Sequence, residues 1–436
     1  SLSTSTSVLE LTSVDGQLRA NGRPFRIKGI TWWGAESNMA MLGGLQHRSL
    51  DDLLALIARG GFNAVRIPFL HQHVLFDDPV PATSFDPALN PFFLSTSGRP
   101  VSYIEMLQAV AKRAAGHGVL VWLVAHSLEA LWYSRSIAES TILDSWTSVA
   151  RRLCGQWNIV GVDLKNKPSA ASWGMGKALD WDAAATRLGD HVSAKCGRWL
   201  IGVEGVGQTP GAMQDPEMEF AAMYPHYFDG ENLVGARRRP VKLADHSRLV
   251  YAPHVYGPGV RSLPYMETDD FPDNTEQVWQ EHFLYLRKAG EARQAVSVLL
   301  NIGGPFESSP RDMAWQIWAV RYCMQHGLSL FYDGLNPRSG TGGDAPTAAA
   351  AAHTPAAWGD KPPVRNNTGG LMMPDWSTPR PGKLHLLAQL PSTPLTAVIG
   401  AAAGAVGTTA ASSHTPAAKA AGGGGGRGSG GGRGGG

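Results

Sequence analysis

No stretch of the 436-residue chain approaches the roughly 20 consecutive apolar residues that a helix needs to cross a bilayer, so no membrane span is expected. Cysteine is scarce. Cys154, Cys196 and Cys323 lie far apart and show no Cys-x-x-Cys spacing. That excludes a disulfide-rich scaffold and gives no metal-ligand pattern. Three buried thiols is the reading preferred, with a single bridged pair as the alternative. Net charge is almost absent: Lys and Arg number 38 against 36 Asp and Glu, a formal +2. Such a balance supplies no general pull toward nucleic acid or a membrane surface. Neither a cofactor nor a metal is expected.

What is present is apolar and aromatic. The chain is 43% hydrophobic and 17% charged, ample for one large core of roughly 200–350 residues with appendages. The 14 Trp residues suit stacking against flat sugar rings, but Trp is equally a large core residue. The chain begins at Ser1; removal of a secretory signal would account for that, and so would trimming. Asn366-Asn367-Thr368 is the one glycosylation sequon.

Residues 1–24 read as a short hairpin, with turn signals at Asp15-Gly16 and Asn21-Gly22-Arg23-Pro24. From 25 to 340 short apolar runs alternate with helical periodicity. The runs are Phe25–Ile30, Phe62–Pro68, Leu120–Val124, Val160–Leu164, Trp199–Val203, Leu249–Pro253, Val296–Leu300 and Leu328–Tyr332. Helical patterns fall at Leu50–Arg59, Tyr103–His117, Ile142–Leu153, Trp181–Lys195, Glu276–Ala289 and Pro310–His326. Eight βα units predict an α/β fold, a (β/α)8 TIM barrel. A doubly wound open sheet is the alternative, but it would carry a Gly-rich first turn where Ile30-Thr31-Trp32-Trp33 stands. Residues 341–367 are an Ala/Pro/Gly/Thr-rich low-complexity insertion, 368–390 resume the barrel, and 391–436 form an Ala/Gly-rich disordered tail. Arg-Gly steps at Arg427 and Arg433 hint weakly at RNA; a flexible tether is the preferred reading.

The strand ends carry a set of motifs in one order. They are Gly29-Ile30-Thr31-Trp32-Trp33-Gly34, Phe62-Asn63-Ala64-Val65-Arg66-Ile67-Pro68, Val124-Ala125-His126-Ser127 with Leu131-Trp132-Tyr133, and Asn166-Lys167-Pro168 followed by Trp173-Gly174 and Asp180-Trp181. Val203-Glu204-Gly205, Tyr251-Ala252-Pro253-His254-Val255-Tyr256, Asn301-Ile302-Gly303-Gly304 and Leu335-Asn336-Pro337-Arg338-Ser339-Gly340 complete it. As a set these resemble glycoside hydrolase family 5 of the cellulase type. The resemblance implies a sugar cleft at the strand C-termini, with Arg66 holding the nucleophile position, His126, Asn166, His254 and Tyr256 around the reacting sugar, and Trp132 in the cleft wall.

The departures fall on the chemistry. The family reads Asn-Glu-Pro and Gly-Glu-Phe-Gly where this chain has Lys167 and Asn301. The aromatic expected at the end of the eighth strand is Asp333. Retaining hydrolysis needs two carboxyl groups about 5–5.5 Å apart, so these replacements predict a barrel without an intact catalytic pair. Glu204 is expected to pair with Lys167 and Asp333 to compensate Arg66; failing that, the cleft would be cationic and favour an anionic glycan. Trp32, Trp33, Trp132, Tyr133, Trp173 and Tyr256 are candidate sugar platforms, each with a packing alternative. Glu129, Glu307, Glu204 and Asp333 are the acids an active enzyme could use instead. The leading expectation is a pseudoenzyme that binds a β-linked oligo- or polysaccharide or serves as a scaffold. An active O-glycosyl hydrolase with relocated carboxylates and a structural subunit of an extracellular, wall or matrix assembly are the alternatives, with protein partners reached through the insertion and tail.

Overall fold

A computed structural model describes residues 9–127, 129–207, 223–288, 294–337 and 369–399. Three short strands open the chain: β1 (Leu11–Val14), β2 (Gln17–Ala20) and β3 (Arg23–Pro24), paired antiparallel. Asp15 and Gly16 turn β1 into β2 with φ of 52° and 70°, the left-handed pair that a two-residue hairpin turn requires.

The main sheet closes on itself. β4 (Lys28–Thr31), β5 (Ala64–Leu70), β6 (Leu120–His126), β7 (Ile159–Asp163), β8 (Leu200–Val203), β9 (Leu249–Tyr251), β10 (His254–Tyr256), β11 (Ser297–Gly303) and β12 (Ser329–Asp333) are all parallel, and β12 pairs back with β4. β9 and β10 together make one stave, because β11 pairs with both. Pro253 has no N–H to give the ladder, and the sixth apolar run splits there. The result is the expected eight-stave (β/α)8 barrel.

Helices α1 (Leu50–Arg59), α2 (His71–Phe76), α3 (Tyr103–Gly116), α4 (Glu139–Leu153), α5 (Trp181–Lys195), α6 (Thr275–His282), α7 (Pro310–His326) and α8 (Pro381–Ala388) surround the described barrel. Ser49 and Ser102 cap α1 and α3, the latter in a reciprocal capping box with Glu105. The helical pattern over Glu276–Ala289 is shorter than expected: α6 ends at His282 and a single 3-10 turn follows at Leu284–Arg287. The Leu286 carbonyl there accepts from Val296, which launches β11.

Inside the barrel Trp122 and Phe331 fill the space that glycines vacate. A β-carbon on Gly29 would lie 2.1 Å from the Phe331 ring, and one on Gly161 would lie 2.3 Å from the Trp122 ring. The hairpin residues Leu9, Leu11, Leu18 and Ala20 pack with Leu120, Leu200, Val250 and Leu299 to close the N-terminal end. Residues 391–399, assigned by composition to the tail, pack against that end: Leu395 and Ile399 join the same cluster, and Thr393 pairs with the Arg26 backbone. Apolar Leu395 and Ile399 have a buried site to fill, which composition does not register.

Cys154 and Cys196 form a disulfide, joining the C-terminal ends of α4 and α5, while Cys323 is buried and free. This corrects the expectation of three thiols. The two helix ends meet only once the barrel is closed, so spacing along the chain carries no sign of the pairing. The insertion, the sequon, Arg338 to Gly340 and the glycine-rich end lie outside the described residues.

Candidate functional site

The C-terminal ends of the staves hold a buried polar web centred on Arg66. This side chain is 1% exposed and projects inward from β5. Its Nε donates to Asp163 Oδ2 at 3.0 Å, and its Nη2 donates to Glu204 Oε1 at 2.7 Å and to Asn166 Oδ1 at 3.2 Å. Asp163 also accepts the Trp122 indole N–H at 2.9 Å. One guanidinium therefore faces two carboxylates with 1% and 0% exposure. Burial pushes both acids up while Arg66 pulls them down; the paired, charge-assisted geometry is what makes such burial tolerable.

Glu204 has a second contact set. Its Oε2 accepts the backbone N–H of Lys167 at 2.7 Å and lies 3.0 Å from His254 Nε2. Burial, with Lys167 and Arg66 adding repulsion, holds His254 well below the usual imidazole range. A neutral ring that donates from Nε2 to Glu204 presents a lone pair at Nδ1, 3.0 Å from the Tyr256 hydroxyl. That hydroxyl has one proton to share between Nδ1 and Asp333 Oδ2, 3.3 Å away. Asp333 Oδ1 accepts the Trp33 indole N–H at 2.6 Å.

The expected pairing of Glu204 with the Lys167 ammonium is therefore corrected. Glu204 takes the Lys167 backbone, while the ammonium sits over the Tyr256 ring, 4.8 Å from its centroid, in cation–π range. Lys167 is the turn residue after β7, with φ of 51°, and this left-handed backbone aims its N–H at Glu204. Arg66, with two carboxylates against it, is not the unpaired cation that an anion-seeking cleft would require.

Asn301 stands apart. It lies in β11 in register with His254, is 1% exposed, and neither its Oδ1 nor its Nδ2 has a hydrogen-bond partner among the described residues. An unmet buried amide costs about 1–3 kcal/mol. His126 is half-buried and lies 3.0 Å through Nδ1 from Asn166 Nδ2. Burial and the cations Lys165, Lys167 and Arg66 hold it well below its ordinary range.

Of the aromatic platforms, the structure packs most into walls. Trp132 is 3% exposed, donates to Glu139 Oε2 at 2.7 Å, and rests between Tyr133 and Trp181. Trp32 and Trp173 give their indole N–H groups to the carbonyls of Gly43 and Arg239. Tyr133 remains half-buried. Glu129 is exposed and Glu307 pairs with Arg380 at 3.7 Å, so neither joins the web.

Two contributors escaped sequence reading. Lys165 is buried, its Nζ donating to the carbonyls of Asn166 at 2.6 Å and Ser127 at 3.3 Å, and burial lowers its pKa to about 8. Gly230, with φ of 90°, brings its backbone against the site: a β-carbon there would lie 3.1 Å from Lys167 Cγ and 3.2 Å from Glu204 Oε2. Asp229-Gly230 is a turn signal, but nothing in it tells which strand end it will meet. The described residues contain no cluster of His, Cys, Asp or Glu able to hold a metal.

A closed parallel barrel with a polar, aromatic-lined web at its strand C-termini is the enzyme-type (β/α)8 architecture. Residues 18–332 match the cellulase model of glycosyl hydrolase family 5, and the chain belongs to that family. It is 30% identical over 393 residues to an endoglucanase of Paenibacillus polymyxa, covering 88% of this chain and 87% of that one. It is also 30% identical over 380 residues to the major extracellular endoglucanase of Xanthomonas campestris, covering 85% and 68%. Among solved structures, the endocellulase from Pyrococcus horikoshii in complex with cellotetraose superposes with a TM-score of 0.74 at 28% identity, over 88% of this chain and 98% of that one.

Proposed function

We propose that this chain is a secreted cellulase-like barrel that binds a neutral β-linked gluco-oligosaccharide and does not cleave it by the retaining route. Lys167 and Asn301 occupy the positions where the resemblance places the acid/base and the nucleophile. An amide has no anionic oxygen to attack an anomeric carbon. An ammonium packed on Tyr256 is a poor match to the acid that must protonate a leaving oxygen, a contribution typically worth about 10²–10⁴-fold. The observation that most supports binding is the unpartnered amide of Asn301: a sugar hydroxyl offers it both a donor and an acceptor. The matched charges around Arg66 favour a neutral glycan over an anionic one. The relative solved with cellotetraose suggests the class of ligand, and the extracellular relative suggests a secreted setting.

A second reading, an active hydrolase with relocated acids, draws on Asp333, whose carboxylate meets the Tyr256 hydroxyl. Glu204 is a weak partner for it, since both its oxygens are already committed to Arg66, His254 and Lys167. The test is hydrolysis of gluco-, manno- and xylo-oligosaccharides at high protein concentration beside Lys167→Glu/Asn301→Glu. Silence from the natural chain with cleavage by the double variant is the expected result. Turnover by the natural chain that disappears in Asp333→Asn overturns the proposal in favour of the second reading.

A further inference from the structure

The N-terminal end of the barrel, opposite the web, carries a separate pocket of about 320 Å³. It opens between the β1–β2 turn, the start of β11, the C-terminal end of α7 and residues 391–393. Arg26 and Arg287 both line it, and both are half-buried. Arg287 Nη1 donates to the His326 carbonyl at 3.2 Å, and Arg26 Nη2 lies 3.0 Å from where a β-carbon on the next residue, Gly327, would sit. The two guanidiniums thus converge on one point of the chain. Among the described residues neither forms an ion pair; Arg287 Nε also donates to the Gly16 carbonyl at 3.2 Å, whereas the Arg26 guanidinium makes no hydrogen bond there. Like charges brought together in a half-buried pocket repel one another unless something of opposite sign lies between them.

A third group points the same way. Ser297 lines the pocket, is 2% exposed, and its hydroxyl has no hydrogen-bond partner among the described residues. Ser329, also in the lining, accepts the Ile27 N–H, and its hydroxyl donates to none of the described residues.

We infer that this pocket is an anion site for a tetrahedral dianion of the phosphate or sulfate type, held by Arg26, Arg287 and the hydroxyls of Ser297 and Ser329. Charge-assisted bonds from two guanidiniums suit a multiply charged oxyanion, and the hydroxyls supply donors to its remaining oxygens. The site joins the hairpin, the barrel floor and the 391–393 segment, so an occupant would clamp both ends of the described chain.

The test is calorimetric titration of the full chain with inorganic phosphate, together with thermal unfolding in phosphate and in chloride at matched ionic strength. Saturable binding is expected, weakened at least tenfold in Arg26→Gln and also weakened in Ser297→Ala. Neither variant loses a side-chain hydrogen bond to the described residues, so both should unfold in chloride at or above the natural temperature while losing the extra stabilisation in phosphate. Sulfate should substitute for phosphate. Stabilisation by salt exclusion alone would be the same in all three proteins. That result, or acetate binding as tightly as phosphate, overturns the inference.

Discussion

Replacing Arg66 by Met should be among the most destabilising single changes in this barrel. Arg66 Nη2 lies 2.9 Å from Asp163 Oδ2 and 2.7 Å from Glu204 Oε1. At an effective dielectric of ~20 each pair is worth about 6 kcal/mol of Coulomb attraction, offset largely by the desolvation of three ions. The substitution removes the attraction and leaves two carboxylates buried without their cation. Breaking a buried pair in this way costs about 3–5 kcal/mol. Burial already favours the protonated acids, so without Arg66 they should take up protons on folding. The deficit should then shrink as pH falls from 8 toward 5, because protonation removes the uncompensated charge. Urea unfolding of the natural and Arg66→Met chains at several pH values measures this. A variant with the natural midpoint, or a deficit of constant size across that range, would refute the reasoning. Adding Asp163→Asn and Glu204→Gln should recover a large part of the loss, since no buried anion then remains.

The other expectations are narrower. Reducing the Cys154–Cys196 bridge, which spans 42 residues, should lower stability by up to about 4 kcal/mol, read as a lower unfolding temperature with reductant and no change in Cys154→Ala/Cys196→Ala. His71 is buried against Ser145 with its pKa pushed down to about 3 by burial and then Lys165. The unfolded chain therefore binds a proton that the folded one refuses between about pH 6.5 and 3. Stability is full above 6.5 and falls as pH drops through that window, by up to about 5 kcal/mol, and His71→Gln should flatten that part of the profile. Gly161→Ala drives a methyl into the Trp122 ring and should cost about 1–3 kcal/mol in urea unfolding.

The elements were legible where local rules decide them. α1, α5 and α7 match their periodicity from end to end, since each has an apolar face and a defined stop such as Gly327 in the left-handed region. The hairpin turn at Asp15-Gly16 was legible for the same reason. The sixth stave and the end of α6 were not. The sixth stave's limits depend on the Pro253 carbonyl accepting from Asn301 of the neighbouring stave, and α6 stops where Phe283 takes φ of −160°, outside the helical region. Arg66, His126, Asn166, Glu204, His254, Tyr256 and Asp333 stand in the sequence as separate strand-end residues; that they meet in one web, and with which partners, was not readable there.

By itself the sequence determined the eight-stave barrel, the order of its strands and the residues that each strand end presents, because alternation and turn chemistry are properties of neighbours along the chain. Tertiary structure alone decided that Arg66 is shared by Asp163 and Glu204, 97 and 138 residues away. It also decided that Lys167 turns to Tyr256, that Cys154 meets Cys196, and that Arg26 and Arg287 face one pocket. Electrostatic and hydrogen-bond partners are chosen by distance and burial in space. Those quantities exist only after the barrel has closed and water has been excluded from its ends.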